Sequence, residues 1–216
     1  YGGKGVIWRT RQSDIAQTEL LVRMAKQEGL KRLALISTLD NGGYTFFSWF
    51  GFFAKELGYA DDAISISAFA KGEACDLAVQ SAVSSAPDIV FIAAGATQEQ
   101  DCILHKLAQN PGPRVMLADT GLDTNSLTKL GPEAMRIEGL SGAGTEQFEQ
   151  AFHSRFGGAR LAPHGPNEYD AILLLAYGLA ASGGQGGQVL VDALKSVVDG
   201  REDGVSGWDQ AGIASA

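Results

Sequence analysis

The sequence predicts an α/β protein built on a doubly wound parallel sheet, and three observations carry that prediction. Five short, mostly apolar runs, Arg32–Thr38, Ala63–Phe69, Ile89–Ala94, Val115–Ala118 and Ile137–Leu140, have the length of strands covered on both faces. Helix-patterned stretches separate them, and right-handed crossovers turn such alternation into a parallel sheet. The rhythm stops at Gly139-Leu140-Ser141-Gly142-Ala143-Gly144, after which come helices and no convincing strand. Helices this apolar need a sheet or more helices over them. The tail therefore reads as the helical part of a second lobe whose sheet is not in this sequence, beside one complete lobe.

Each element has a local cause. Gly5 to Thr10 is a short extended segment. Ser13 can cap a helix running to about Gln27, with Ile15, Leu20, Leu21 and Met24 as its apolar residues and Gly29 as its stop. Gly42-Gly43-Tyr44 opens a helix to Leu57, in which Phe46, Trp49, Phe50, Phe53 and Leu57 share one stripe and are expected in the core. Phe47 and Phe52 lie off that stripe and point to a second contact surface, a dimer or lobe contact. Further helices are expected over Cys75–Ser85, Gln98–Gln109 and, briefly, Asn125–Leu130, with breaks at Pro87-Asp88 and Pro111-Gly112-Pro113.

The tail gives helices over Glu146–Phe156, Asn167–Ala181 and Gln188–Val198. The middle one is apolar nearly all round through Ile172, Leu173, Leu174, Leu175, Tyr177 and Leu179, which only a helix covered on most sides tolerates. Gly183-Gly184-Gln185-Gly186-Gly187 is a flexible turn; no strand precedes it, as a nucleotide loop would require.

Composition narrows the function. A chain of 216 residues with 45% hydrophobic content can bury a real core. Its net charge of -8 and lack of a Lys/Arg cluster argue against nucleic acid and against an anionic membrane surface. The longest apolar run, Ala171–Ala181, is too short to span a bilayer. The chain starts at Tyr1, which fits a processed or excised polypeptide. Cys75 and Cys102 have no metal-ligand spacing and fall on neighbouring helices. Two buried thiols are the ordinary reading, with a disulfide the alternative in an oxidising compartment.

Counting Arg32–Thr38 as the first strand, the expected sheet order is 2-1-3-4-5. Ligands of such sheets bind beyond the carboxyl ends of the strands where the order reverses. That point lies between strands one and three, at Asp40-Asn41-Gly42-Gly43-Tyr44 and Gly95-Ala96-Thr97-Gln98, with Asp119-Thr120-Gly121 following strand four. Glycines let backbone approach a ligand and helix N-termini present free N–H groups to anions. Tyr44 offers an aromatic face and a hydroxyl. Asp119 offers a negative charge suited to an ammonium or to several hydroxyls. Equally, Asp40, Asn41 and Asp119 can serve only to cap turns and helices.

Catalytic motifs are missing. There is no G-x-S-x-G elbow, H-E-x-x-H or P-loop. His105 and His153 fall on helices near solvent, His164 falls in a Pro/Gly loop, and none has metal spacing or lies at these loops. No metal, no cofactor and no enzymatic activity are expected.

Several stretches carry a resemblance. Gly5-Val6-Ile7-Trp8-Arg9-Thr10 with Ser13-Asp14 looks like the segment by which periplasmic type I solute-binding proteins enter their second lobe. Arg32–Thr38 followed by Asp40-Asn41-Gly42-Gly43-Tyr44 is similar to that family's strand and Tyr/Gly loop. Glu168-Tyr169-Asp170-Ala171 resembles its aromatic-Asp-Ala helix start, and Asp199-Gly200 with Gly207-Trp208-Asp209 fits as well. In order and spacing the match points to the branched-chain amino acid-binding group.

The resemblance implies two α/β lobes joined by three crossovers with ligand trapped between them. Residues 5–140 would be the second lobe and 144–216 part of the first, with hinges near 5–10 and 140–145 flanked by Arg9, Thr10, Gly142 and Gly144. The first lobe's opening strands and the third crossover would lie outside this sequence. Ligand-binding positions carry over to Asn41, Tyr44, Ala96, Thr97 and Asp119, with Asp119 taking an α-ammonium. Two departures matter: Ala96-Thr97 stands where amino-acid binders often carry an aromatic, and Thr45 where a glycine is common. The resemblance thus implies an extracytoplasmic receptor of an ABC importer, periplasmic or extracellular and lipid-anchored. It would bind an amino acid or analogue and dock on an ABC permease, with a homodimer as a further expected partner. The rivals are a cytoplasmic small-molecule sensor on the same fold, an α/β enzyme, and a non-binding structural lobe.

Overall fold

The computed structural model describes residues 7–95, 97–110, 112–119, 124–140, 144–158 and 164–199, without the side chains of residues 97 and 124–126. Its described residues divide into two compact units, one over 12–140 and one made of 7–11 with 144–199. Gly5, Val6, Ala96, Gly142 and the Gly200 and Gly207-Trp208-Asp209 motifs lie outside the described residues.

The larger unit is a five-stranded parallel sheet in the order β2-β1-β3-β4-β5, the order the sequence predicts. The strands are β1 (Leu33–Thr38), β2 (Ile64–Phe69), β3 (Ile89–Ala93), β4 (Arg114–Leu117) and β5 (Ile137–Gly139). Every residue of β1 and β3 is buried, because these central strands have helices on both faces.

On one face lie α1 (Asp14–Gln27) and α2 (Tyr44–Glu56). Their Leu21, Val22, Phe46 and Phe50 pack on Leu33, Leu35 and Phe91. On the other lie α3 (Asp76–Ser84) and α4 (Thr97–Ala108), whose Val79, Ala82, Ile103 and Leu107 pack on Ile36, Val90 and Ile92. Alternate residues along one strand thus feed two cores. Ser13 caps α1 by accepting the Ala16 N–H at 3.2 Å. The short α5 (Thr124–Lys129) and a 3-10 turn over Gly131–Arg136 lead into β5.

Two local expectations are corrected. Trp49 is not core: the buried line of α2 is Phe46, Phe50 and Ala54. Trp49 is 38% exposed and spends its ring on Phe52 and Phe53, at 5.7 and 5.9 Å. Cys75 and Cys102 are not two thiols. They form a disulfide, with Cα atoms 6.2 Å apart, joining the start of α3 to the middle of α4 inside the second core.

The smaller unit is helical among its described residues: α6 (Glu146–Arg155), α7 (Gly165–Ala181) and α8 (Gln188–Asp199). Helices α7 and α8 form a hairpin across the turn at Gly183, Gly184 and Gly187, all at positive φ. Their axes come close at Gly178, where a Cβ would stand 2.5 Å from Leu194 Cδ2. The outer face of α7 is bare: Ile172 is 69% and Leu175 48% exposed. The face of α7 turned away from α8, which the sequence marks for covering, is bare among the described residues of this unit. Among the described residues, no helix is long and apolar enough to cross a membrane.

Candidate functional site

All five strands are parallel, so every βα loop leaves from one edge of the sheet. Strands β1 and β4 both flank β3. At 4.7–4.9 Å per strand, the chain ends leading to Tyr44 and to Asp119 stand about 10 Å apart. The β1–β3 junction is where strand order reverses.

The loop after β1 is held by Asp40. Its Oδ1 accepts from Thr38 Oγ1 at 2.8 Å, from the Gly42 N–H at 2.9 Å and from the Gly43 N–H at 3.2 Å. Asp40 is therefore a turn-former. The glycines serve close packing. A Cβ on Gly43 would meet Thr38 O at 2.2 Å and Ala93 O at 2.6 Å, and one on Gly42 would meet Gly95 Cα at 2.6 Å. The β1 and β3 loops thus touch backbone to backbone at Gly42 and Gly95.

Tyr44, the first residue of α2, is 59% exposed and its ring lies 6.5 Å from that of Phe47. Asn41 is exposed in the turn. Thr97 opens α4, at the helix end where free N–H groups cluster. Asp119, just past β4, is buried, and its backbone N–H donates to Gln17 Oε1 of α1 at 3.2 Å. An aromatic face, a helix N-terminus and a carboxylate therefore share one edge. Such a set can hold a small zwitterion or polyol, with the acid receiving cationic or hydroxyl donors.

Two contributors escape sequence reading. Gln17 fixes the Asp119 backbone from across the sheet face. Glu99, buried in the first turn of α4, accepts the Gly72 N–H at 2.9 Å and ties the β2–α3 loop to the same edge. The signal for Glu99 is an acid in a helix's first turn; nothing local marks Gln17. Among the described residues, no group of three or more His, Cys, Asp or Glu side chains could hold a metal ion.

Of the expected hinge residues, Arg9, Thr10 and Gly144 are described, and they lie in the smaller unit. Thr10 Oγ1 donates to the Asn167 carbonyl at 2.9 Å and the Asn167 amide donates back to Thr10 O at 2.8 Å, tying the segment to the start of α7. Arg9 is exposed. Gly144 packs where a Cβ would meet Phe148 Cδ1 at 2.9 Å and Pro166 Cγ at 3.1 Å. A groove of about 900 Å³ runs between α6 and α7, lined by Phe148, Phe152, Phe156, Tyr169 and Ile172. Its aromatic lining suits an uncovered core face better than a polar ligand.

No family model matches the chain, and no curated protein matches it. Solved structures do. A periplasmic binding protein type 1 from Bordetella pertussis Tohama I superposes with a TM-score of 0.70 at 18% identity, over 86% of this chain and 55% of that one. A leucine binding protein from Thermotoga maritima MSB8 gives 0.72 at 21% identity, over 89% and 57%. An extracellular ligand-binding receptor from Rhodopseudomonas palustris HaA2 gives 0.68 at 14%, over 87% and 57%. The chain has the type I periplasmic binding protein fold, and it spans little more than half the length of these proteins.

Proposed function

We propose that this chain is part of an extracytoplasmic solute receptor that serves an ABC importer and binds an amino acid or a similar small polar solute. The observation that carries this reading is the convergence of Tyr44, the α4 N-terminus and Asp119 on one edge of the sheet, at its switch point. Residues 5–140 would be the receptor's second lobe and 144–216 a part of its first. The bare outer face of α7 would be covered by that lobe's remaining sheet.

The mechanism follows from the residues. Asp119 receives the ligand's ammonium, in a buried position where a charge-assisted hydrogen bond is worth most. Tyr44 covers the ligand's stem, and Asn41 and the Ala96-Thr97 loop would be its further contacts. The facing lobe then closes, turning about segments that include Arg9, Thr10, Gly142 and Gly144. Ligand shifts an open–closed equilibrium by binding the closed state better, and the closed form docks on the permease. No step calls for catalysis. A homodimer belongs to the same reading.

The disulfide favours an oxidising compartment, periplasmic or extracellular with a lipid anchor, over the cytoplasmic sensor built on the same fold. A thermal-shift screen of amino acids, their amides and aromatic acids on the full-length protein tests the reading. A rise in melting temperature with one solute class supports it, and no rise with any small solute removes it.

A further inference from the structure

The outer face of α2 and the edge strand beside it are not used by the ligand edge. Phe52 is 52% exposed and meets Trp49 edge to face. With Gly51, Lys55, Asp61, Ile64 and Ile66 it lines a groove of about 500 Å³ between α2 and β2. The groove exists because residue 51 has no side chain: a Cβ there would stand 3.1 Å from Ile66 Cδ1.

Strand β2 pairs only with β1, so its other edge is open among the described residues. The Phe69 carbonyl accepts the Leu39 N–H, which turns the backbone of Phe69 toward β1. Alternation along the strand then turns the N–H and C=O groups of Ile64, Ile66 and Ala68 outward. The β1–β2 register runs unbroken from Leu33↔Ile64 to Thr38↔Phe69, so no bulge bends this edge. Ile64-Ser65-Ile66-Ser67-Ala68-Phe69 also contains no charge and no proline. Within β2, the bulge, charge and proline that normally blunt an edge are missing.

We propose that a second copy of this chain docks here. The two β2 edges pair antiparallel across a two-fold axis, and Phe52 of each copy covers the other's groove. Two identical edges brought together by such an axis can meet only antiparallel, and each then supplies the hydrogen-bonding groups its mate needs. At 150–250 Å² for a whole aromatic side chain, the exposed parts of Trp49, Phe52 and Ile66 give roughly 250 Å² of apolar surface per copy. That is about a third of the ~800 Å² per partner of a standard interface, with the strand edge and polar rim to supply the rest. The rim is self-complementary in charge. Lys55 and Asp61 form an exposed 2.9 Å ion pair beside the groove, so the axis can set a cation of one copy against an anion of the other. This inference gives the homodimer of the receptor reading its surface, and its test does not require a solute.

Sedimentation of the ligand-free full-length protein from low to high micromolar concentration tests it, with amide hydrogen exchange on the same samples. The expected result is a reversible dimer in which the amides of Ile64, Ile66 and Ala68 are protected. Phe52→Glu should weaken it at least tenfold while leaving the melting temperature of the monomer unchanged, and Ile66→Lys should weaken it at least as much. A monomer at every concentration overturns the proposal, as does a dimer that survives both substitutions or leaves those three amides unprotected.

Discussion

Replacing both cysteines, Cys75→Ala with Cys102→Ala, should destabilise the larger unit by about 3.5 kcal/mol. The bridge joins residues 27 apart in sequence, and closing a loop of that length removes about 3.5 kcal/mol of chain entropy from the unfolded state. The enclosed stretch contains α3, β3 and the first half of α4, so the loop threads the centre of the sheet. At ~2–4 °C per kcal/mol for a chain of this size, the melting temperature should fall by about 10 °C. The assay is urea unfolding followed by circular dichroism, with and without reductant. Wild type should drop to the level of the double variant when reduced, and the variant should ignore the reductant. A difference below about 1 kcal/mol, or two alkylatable thiols in the unreduced protein, would refute the reasoning and reopen the choice of compartment.

Other outcomes follow from the same geometry. Gly43→Ala forces a Cβ against two backbone carbonyls; calorimetry should show a loss of about 2–3 kcal/mol, with solute binding weakened because Tyr44 is displaced. Tyr44→Ala leaves an exposed position, so its melting temperature should stay near wild type while titration calorimetry shows weaker solute binding. Asp88 is held below the usual carboxylate range by the Lys31 and Arg32 backbone N–H groups that bond it at 2.6 and 2.9 Å. A depressed pKa means stability present above the unfolded value and lost as pH falls through the folded one. Asp88→Asn should therefore cost about 1 kcal/mol at neutral pH, discounted for its exposure, and nothing in acid. Equal costs at both pH values would contradict this.

The sheet was legible because its strands are buried on both faces. Leu33-Ala34-Leu35-Ile36 and Ile89-Val90-Phe91-Ile92 can be read as nothing but central strands once helices alternate with them. The 3-10 turns at Asp61–Ala63 and Gly131–Arg136 escaped, since one or two turns leave no period to read. Trp49 was misassigned because a helical stripe has soft margins. The buried line fell on Phe46, Phe50 and Ala54, and the bulky ring at the margin turned outward to its aromatic neighbours. The bridge was open because Cys75 and Cys102 meet only through the packing of α3 on α4, which no spacing encodes. At the site, the loops were legible and their division of labour was not. Asp40, for which the sequence leaves ligand contact and turn-capping open, shapes the turn, the glycines serve close packing, and Gln17, from α1, accepts the Asp119 backbone N–H.

The account rests on Asp119 receiving a small solute at the switch point of the sheet. Titration calorimetry of the full-length protein with its best thermal-shift solute, wild type against Asp119→Asn, tests this most directly. With an amine-bearing solute the account predicts single-site binding to wild type and a loss of about 1.5–3 kcal/mol in the variant, or roughly 10- to 150-fold in affinity. Equal affinity in the two proteins would contradict it.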